Sequence, residues 1–139
     1  MISRTGKHAL QILGHLVRNQ GEWISGQDIA TATDIPANYL GKILNNLAKH
    51  GFVESRKGWG GGFTIRAEAM TRPISEALEV VEGPTAAESK ECVYGLGQCN
   101  DDQPCPLHQH FKPIRAAFDE MLTSVTVRDI CSLDEKVDL

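Results

Sequence analysis

The chain has 139 residues, a net charge of −4 and 41% apolar side chains, enough for one domain of ordinary size or a small domain plus an extension. No run of about 18 apolar residues occurs, which excludes a membrane-spanning helix, and the opening MISRTGKHALQILGHLV, broken by Lys7, His8 and His15, lacks the unbroken apolar segment of a secretory leader; a cytoplasmic location is expected. The charge is uneven: residues 1–66 carry eight Lys/Arg against four acids, residues 67–139 six against fourteen, which fits a polyanion-facing half and a half facing elsewhere, or two solvated surfaces with chance charge placement.

A first helix is expected over residues 4–19, where Ala9, Leu10, Ile12, Leu13, Leu16 and Val17 recur at helical spacing. Ser25 reads as the N-cap of a short helix ending near Thr33. Asp34 reads as the cap of a third helix, with Pro36 in its first turn, that runs to about His50 and stops at Gly51. Its apolar stripe is Leu40, Ile43, Leu44 and Leu47. Asn38, Lys42, Asn45 and Lys49 step by 4, 3 and 4 and share the opposite face. Two short helices with a tight turn, the second presenting amides and ammonium groups, follow helix-turn-helix logic. Asn pairs with an adenine edge, and Lys with guanine or phosphate. Alone, such a stripe is what any solvated helix has.

The next segment shifts that balance. Strands are expected to begin at Phe52-Val53-Glu54 and at Phe63-Thr64-Ile65, joined by Ser55-Arg56-Lys57-Gly58-Trp59-Gly60-Gly61-Gly62. A cationic, glycine-rich hairpin tip directly after a recognition-like helix is a wing. Its glycines let the backbone approach a sugar-phosphate wall, and Arg56 or Lys57 can enter a minor groove. Trp59 either contacts the DNA backbone or packs under the hairpin, and packing is the expectation. A phosphate-binding glycine loop fits poorly, because Phe63 stands where a third glycine belongs and a strand follows.

Ala67 to Pro73 reads as a linker. Ser75 is expected to cap a helix over Glu76–Glu82, closed by Gly83 and Pro84. Residues 84–105 show no periodicity, and a loop that long is usually functional or disordered. Beyond it, Leu107, Phe111, Ile114, Phe118, Met121 and Val125 step by 4, 3, 4, 3 and 4, a coiled-coil-like seam. Pro113 marks where that helix starts or kinks. The seam suits a dimer more than a private core, since helix-turn-helix readers commonly use two half-sites. Thr126-Val127-Arg128-Asp129 resembles a capping box for a last turn, and residues 132–139 form an acidic tail.

The long loop holds Cys92, Cys99 and Cys105 in CVYGLGQCNDDQPCPLH, with His108 after them. In a reducing compartment, clustered cysteines are more often metal ligands or redox sensors than disulfides. Zinc sites usually pair ligands as tight Cys-x2-4-Cys knuckles, absent here. Wider spacing suits an iron–sulfur cluster. His108 is either a fourth ligand or a surface residue at a helix start; His110 is a bystander. Cys131, beside Val127, Ile130 and Leu133, reads as a packed core thiol. His8 is a weaker candidate, brought to the loop by a partner subunit.

Together these residues resemble the IscR/NsrR family of iron–sulfur winged-helix repressors. The resemblance runs through Thr5-Gly6-Lys7-His8-Ala9-Leu10, Ile35-Pro36-Ala37-Asn38-Tyr39-Leu40, the wing Lys57-Gly58-Trp59-Gly60-Gly61-Gly62-Phe63, Glu82-Gly83-Pro84 and the three cysteines. It implies a homodimer on palindromic promoter DNA with a [2Fe–2S] or [4Fe–4S] cluster on Cys92, Cys99 and Cys105. The first cysteine spacing is x6, where x5 is usual in the best-known branches. Lys7 stands where the nitric-oxide-sensing branch has a ligating Asp, whereas His108 fits the ligating His of the assembly-regulator branch. Gly41 and Lys57 replace a Glu and an Arg of that branch, so its operator preference does not transfer.

The expected fold is mostly α with a small β-hairpin: a winged helix-turn-helix over residues 1–74, then a cluster loop and a long dimerisation helix over 75–139. The expected function is transcriptional repression set by a cluster, [2Fe–2S] ahead of [4Fe–4S], sensing redox state, nitric oxide or iron–sulfur status. Cys92, Cys99, Cys105 and His108 hold the cluster; Asn38, Lys42, Asn45, Arg56 and Lys57 face DNA. The rivals are a winged-helix regulator with a zinc or thiol–disulfide switch and a small iron–sulfur electron carrier. No Ser/His/Asp or paired-carboxylate arrangement points to an enzyme, and no small-molecule substrate or membrane partner is expected.

Overall fold

Helix α1 (Arg4–Arg18) starts where the Ser3 hydroxyl accepts the Gly6 N–H at 3.0 Å, which satisfies one donor that the first helical turn leaves open. Its buried stripe is Ala9, Ile12, Leu13, Leu16 and Val17; Leu10 is only half-buried. The structure is a computed structural model that describes residues 2–83 and 91–131. Segment 84–90 of the expected loop and the acidic tail at 132–139 lie outside the described residues.

Helix α2 (Gly26–Thr33) is capped as expected, with the Ser25 hydroxyl accepting the Asp28 N–H at 3.1 Å. Asp34 does not cap the next helix. It closes α2 in the left-handed conformation, with φ 57° and ψ 36°, a position that Asp and Asn tolerate better than most residues. Helix α3 (Ala37–Lys49) instead begins at Pro36 with no side-chain cap, and the Pro36 carbonyl accepts the N–H groups of Tyr39 and Leu40, each at 3.0 Å. Leu40, Ile43, Leu44 and Leu47 are buried.

Strands β1 (Val53–Arg56) and β2 (Gly62–Ile65) form an antiparallel hairpin with Val53 opposite Ile65 and Arg56 opposite Gly62. Ile24 extends it by one bridge, exchanging backbone bonds of 2.9 and 2.8 Å with Phe63. The approach is possible because Gly62 has no side chain: a Cβ there would lie 2.3 Å from the Ile24 carbonyl oxygen.

The expected linker at 67–73 is packed structure. It contains a 3-10 turn (Ala67–Ala69), and Ala69 and Met70 are buried. Arg72 stacks on Phe52 at 3.7 Å, donates to the His50 carbonyl at 2.9 Å and pairs with Glu76 at 3.0 Å. Helix α4 (Ile74–Glu82) starts at Pro73, not at Ser75. Pro73 has no N–H to satisfy, and Ile74 is drawn in by burial and by its N–H bond to the Val125 carbonyl at 2.9 Å.

Helix α5 (His108–Ser124) begins five residues before Pro113. Proline there removes one bond, to the carbonyl of the exposed residue Gln109. No residue of α5 is fully buried. The chain then returns to the core: Val127 is buried and its N–H reaches the Arg72 carbonyl at 3.0 Å. Asp129 accepts the Thr126 N–H at 2.9 Å and starts a final 3-10 turn (Arg128–Cys131), the expected cap. One hydrophobic core joins α1, α2, α3 and the hairpin to Ala77 of α4 and to Val127.

Candidate DNA interface and cysteine centre

The inward stripe of α3 fixes its outward stripe. With Leu40, Ile43, Leu44 and Leu47 in the core, Asn38, Lys42 and Asn45 are exposed along the opposite face, and Tyr39 beside them is also exposed. The hairpin follows α3 directly, so helix and wing are offered together. Arg56 sits at the wing base, where its guanidinium stacks on Trp23 at 4.1 Å and donates to the Gly60 carbonyl at 3.0 Å. Lys57 is exposed. Trp59, expected to pack under the hairpin, is fully exposed at its tip. The aromatic that supports the hairpin is Trp23, whose proximity to Arg56 no local pattern encodes.

The cysteine loop is turned by glycines. Gly95 and Gly97 have φ of 98° and 84°, a region glycine enters without penalty. The Cys92 N–H donates to the Gly97 carbonyl at 2.6 Å, and Glu91 bridges Gln98. This turn aims backbone N–H groups at Cys92: the Leu96 N–H chiefly holds its thiol below the usual range, desolvation opposes it, and the Tyr94 N–H, the Cys105 side chain and the Gly95 N–H add to the lowering.

His108 is held on both ring nitrogens. Nδ1 is 3.3 Å from Cys99 Sγ, and Nε2 is 2.7 Å from Asp101 Oδ1. The hydrogen bond from His108, then Lys112 at 3.3 Å, keeps the Asp101 carboxyl below its ordinary value. A carboxylate holding one ring nitrogen is the usual outer-shell partner of a metal-ligating histidine; here the other ring nitrogen lies against the Cys99 thiol. Asp101 was missed in the sequence; its one signal was the Asp pair between Cys99 and Cys105. The loop therefore brings Cys99 to His108 and Cys92 to Cys105, and among the described residues no three potential ligands converge into a finished metal cage. Thiolates and an imidazole are ligands an iron–sulfur cluster takes, and N–H groups aimed at sulfur tune it by hydrogen bonding.

His110 is exposed, and Cys131 packs against the core. A cleft of 760 Å³ opens between the loop and the first turn of α1, lined by Ser3, Thr5, Glu82, Cys92, Phe111 and Arg115, among others. Glu82 accepts from the Ser3 N–H and hydroxyl at 2.8 and 2.6 Å. Lys7 and His8 are not in its lining.

An exposed polar recognition helix, a glycine wing braced at its base and a cysteine loop tied to the core define a winged helix-turn-helix transcriptional regulator. The chain belongs to the Rrf2 family, whose model, described as an iron-dependent transcriptional regulator, matches residues 2–133. It is 27% identical over 138 residues to an HTH-type transcriptional regulator of Aquifex aeolicus, covering 98% of this chain and 94% of that one. It is 24% identical over 139 residues to the HTH-type transcriptional regulator IscR of Vibrio vulnificus, covering 99% and 81%. The solved structure of CymR, the global cysteine regulator of B. subtilis, matches with a TM-score of 0.76 at 26% identity, covering 97% of this chain and 98% of that one. No helix among the described residues is long and apolar enough to cross a membrane.

Proposed function

We propose that this chain is a homodimeric repressor whose affinity for palindromic promoter DNA is set by an iron–sulfur cluster, [2Fe–2S] in preference to [4Fe–4S]. Cys92, Cys99, Cys105 and His108 hold the cluster. The observation that carries this reading is the Cys99–His108–Asp101 chain, at 3.3 and 2.7 Å, in a loop with two further cysteines. When bound, the cluster supplies one-electron chemistry and reactivity toward oxygen, nitric oxide or iron loss.

The protein's own residues do the rest. Residues 1–74 read DNA: Asn38, Lys42 and Asn45 meet base edges in the major groove, and Arg56 and Lys57 serve the wing. Residues 75–139 sense and dimerise. Helix α5 is tied to the loop through His108 and to the core through Val127, so the hold on its first turn sets how far apart the two recognition helices of a dimer lie. A change in that separation spoils the match to two half-sites.

The test is the visible absorption of anaerobically purified protein, with iron and acid-labile sulfide counted per chain. Brown protein with matched iron and sulfide is expected. Colourless protein that stays without iron after reconstitution overturns the cluster and favours a zinc or thiol–disulfide switch. The loop supplies the observation for that second reading, since Cys92 lies against Cys105 and Cys99 against His108, and no metal-holding group of three or more ligands forms among the described residues.

A further inference from the structure

We infer that Trp59 is a DNA-contact residue that enters the minor groove beside the wing and gives the protein a preference for A·T pairs there. The inference rests on the winged-helix reading and adds to it a contact that the recognition helix does not supply.

The geometry begins with the turn. The Gly61 N–H donates to the Gly58 carbonyl at 3.0 Å, and Gly60 has φ 74° at the third position, as a type II turn requires. Trp59 is therefore the second residue of a closed turn, the outermost point of the hairpin. It is 104% exposed. A single exposed apolar side chain is ordinary on a protein surface. This one differs because its support is fixed. A Cβ on Gly61 would lie 2.2 Å from the Arg56 carbonyl oxygen, and one on Gly62 would lie 2.3 Å from that of Ile24, so the hairpin arms are in tight backbone contact. Arg56 ties the tip to its base through Trp23 and the Gly60 carbonyl.

The neighbours also leave the indole bare. Nothing lies within 4 Å of where Cβ atoms on Gly58 and Gly60 would stand, so a sugar-phosphate wall can close on either side. Lys57, two residues before Trp59, is exposed, while the Arg56 guanidinium is engaged at the base. Indole N–H is a donor without an acceptor. In the minor groove, A·T and T·A pairs both present only acceptors, whereas G·C adds a protruding amino donor. A donor in that groove therefore accepts A·T in either orientation and is repelled by G·C. Flat apolar side chains entering the minor groove are an established mode of contact.

The test uses fluorescence anisotropy with labelled alternating A·T and alternating G·C duplexes. The intact protein should bind the A·T duplex more tightly. Trp59→Ala should weaken that binding about ten-fold, the order that aromatic contacts with nucleic acid are worth, and should abolish the preference. Trp59→Phe, which keeps a ring but no N–H, should recover most of the affinity and none of the preference. In Trp23→Phe, the remaining tryptophan emission should quench on adding the A·T duplex. If the intact protein binds and Trp59→Ala matches it in affinity and preference, with unmoved emission at saturation, the contact is refuted and the DNA-binding reading stands. If the intact protein binds neither duplex at low salt, both fall.

Discussion

Two single residues carry more of the fold than their size implies. Gly62 has φ 132° and lets Ile24 and Phe63 exchange backbone bonds. Gly62→Ala combines a strained backbone with a Cβ 2.3 Å from a carbonyl oxygen. A loss of roughly 1–3 kcal/mol is expected from such a clash, read as a lower midpoint in urea. DNA affinity should fall with it, because the wing is what separates. Asp129 works through charge. The Thr126 N–H, first, and the Thr126 side chain hold its carboxyl below the ordinary value. A carboxyl depressed on folding stabilises above its unfolded value, about pH 4, and loses that contribution as pH falls through the folded value. Asp129→Ala should therefore melt earlier than the parent protein at pH 7, with the two curves converging below about pH 4. A gap that persists in acid would mean that the side chain acts by packing instead.

At the scale of elements, α5 stands apart, since it is long yet buries no residue completely. Ile114 and Met121 are 55% and 41% exposed, on the same seam as the half-buried Phe111 and Phe118. Two such seams laid together cover each other, as a dimer requires. Replacing Ile114 and Met121 together with Asp should shift the sedimentation coefficient from dimer to monomer while the far-ultraviolet spectrum keeps its helix content. A parent protein that already sediments as a monomer would sink the dimer. Elements with local signals were readable from sequence: Ser25 caps α2, the period of α3 defines both its faces, and Thr126 meets Asp129. The misreadings share a cause. Asp34 carries a side chain that serves either end of a helix, and the αL turn closing α2 took it. Segment 67–73 looked like a linker because its burial comes from partners far along the chain, Arg72 against Phe52 and Val127 against Arg72. Trp59 was expected under the hairpin because aromatic rings usually pack, but Trp23 supplies the brace. The three cysteines were visible at once, whereas the pairing of His108 with Cys99 and Asp101 is a product of loop geometry.

The whole molecule joins a basic reader to an acidic remainder through one core. Its first 66 residues carry twice as many bases as acids, and the rest reverses the sign, so a polyanion is attracted to the first half of the chain and repelled by the second. Under the proposed reading, the loop acts on DNA at a distance. Two physical ties are present: α5 receives the loop at His108, and its far end enters the core at Val127, against the segment that carries Met70 and Arg72. Coupling free energies of about 1–3 kcal/mol are typical of such linked sites, and the upper part of that range changes promoter occupancy by more than ten-fold. Cys99 is the place to cut the linkage, since its thiol is the one that meets the oriented His108 ring. Cys99→Ala should leave the core, the wing and the basic face intact. Its affinity for a promoter fragment should equal that of the oxidised parent protein and should not change when oxidant is added. The parent protein should show a difference of ten-fold or more between anaerobic and oxidised samples. A Cys99→Ala protein that still loses DNA on oxidation would place the sensor elsewhere in the chain, with Cys131, packed on the core beside Ile130, as the next thiol to replace.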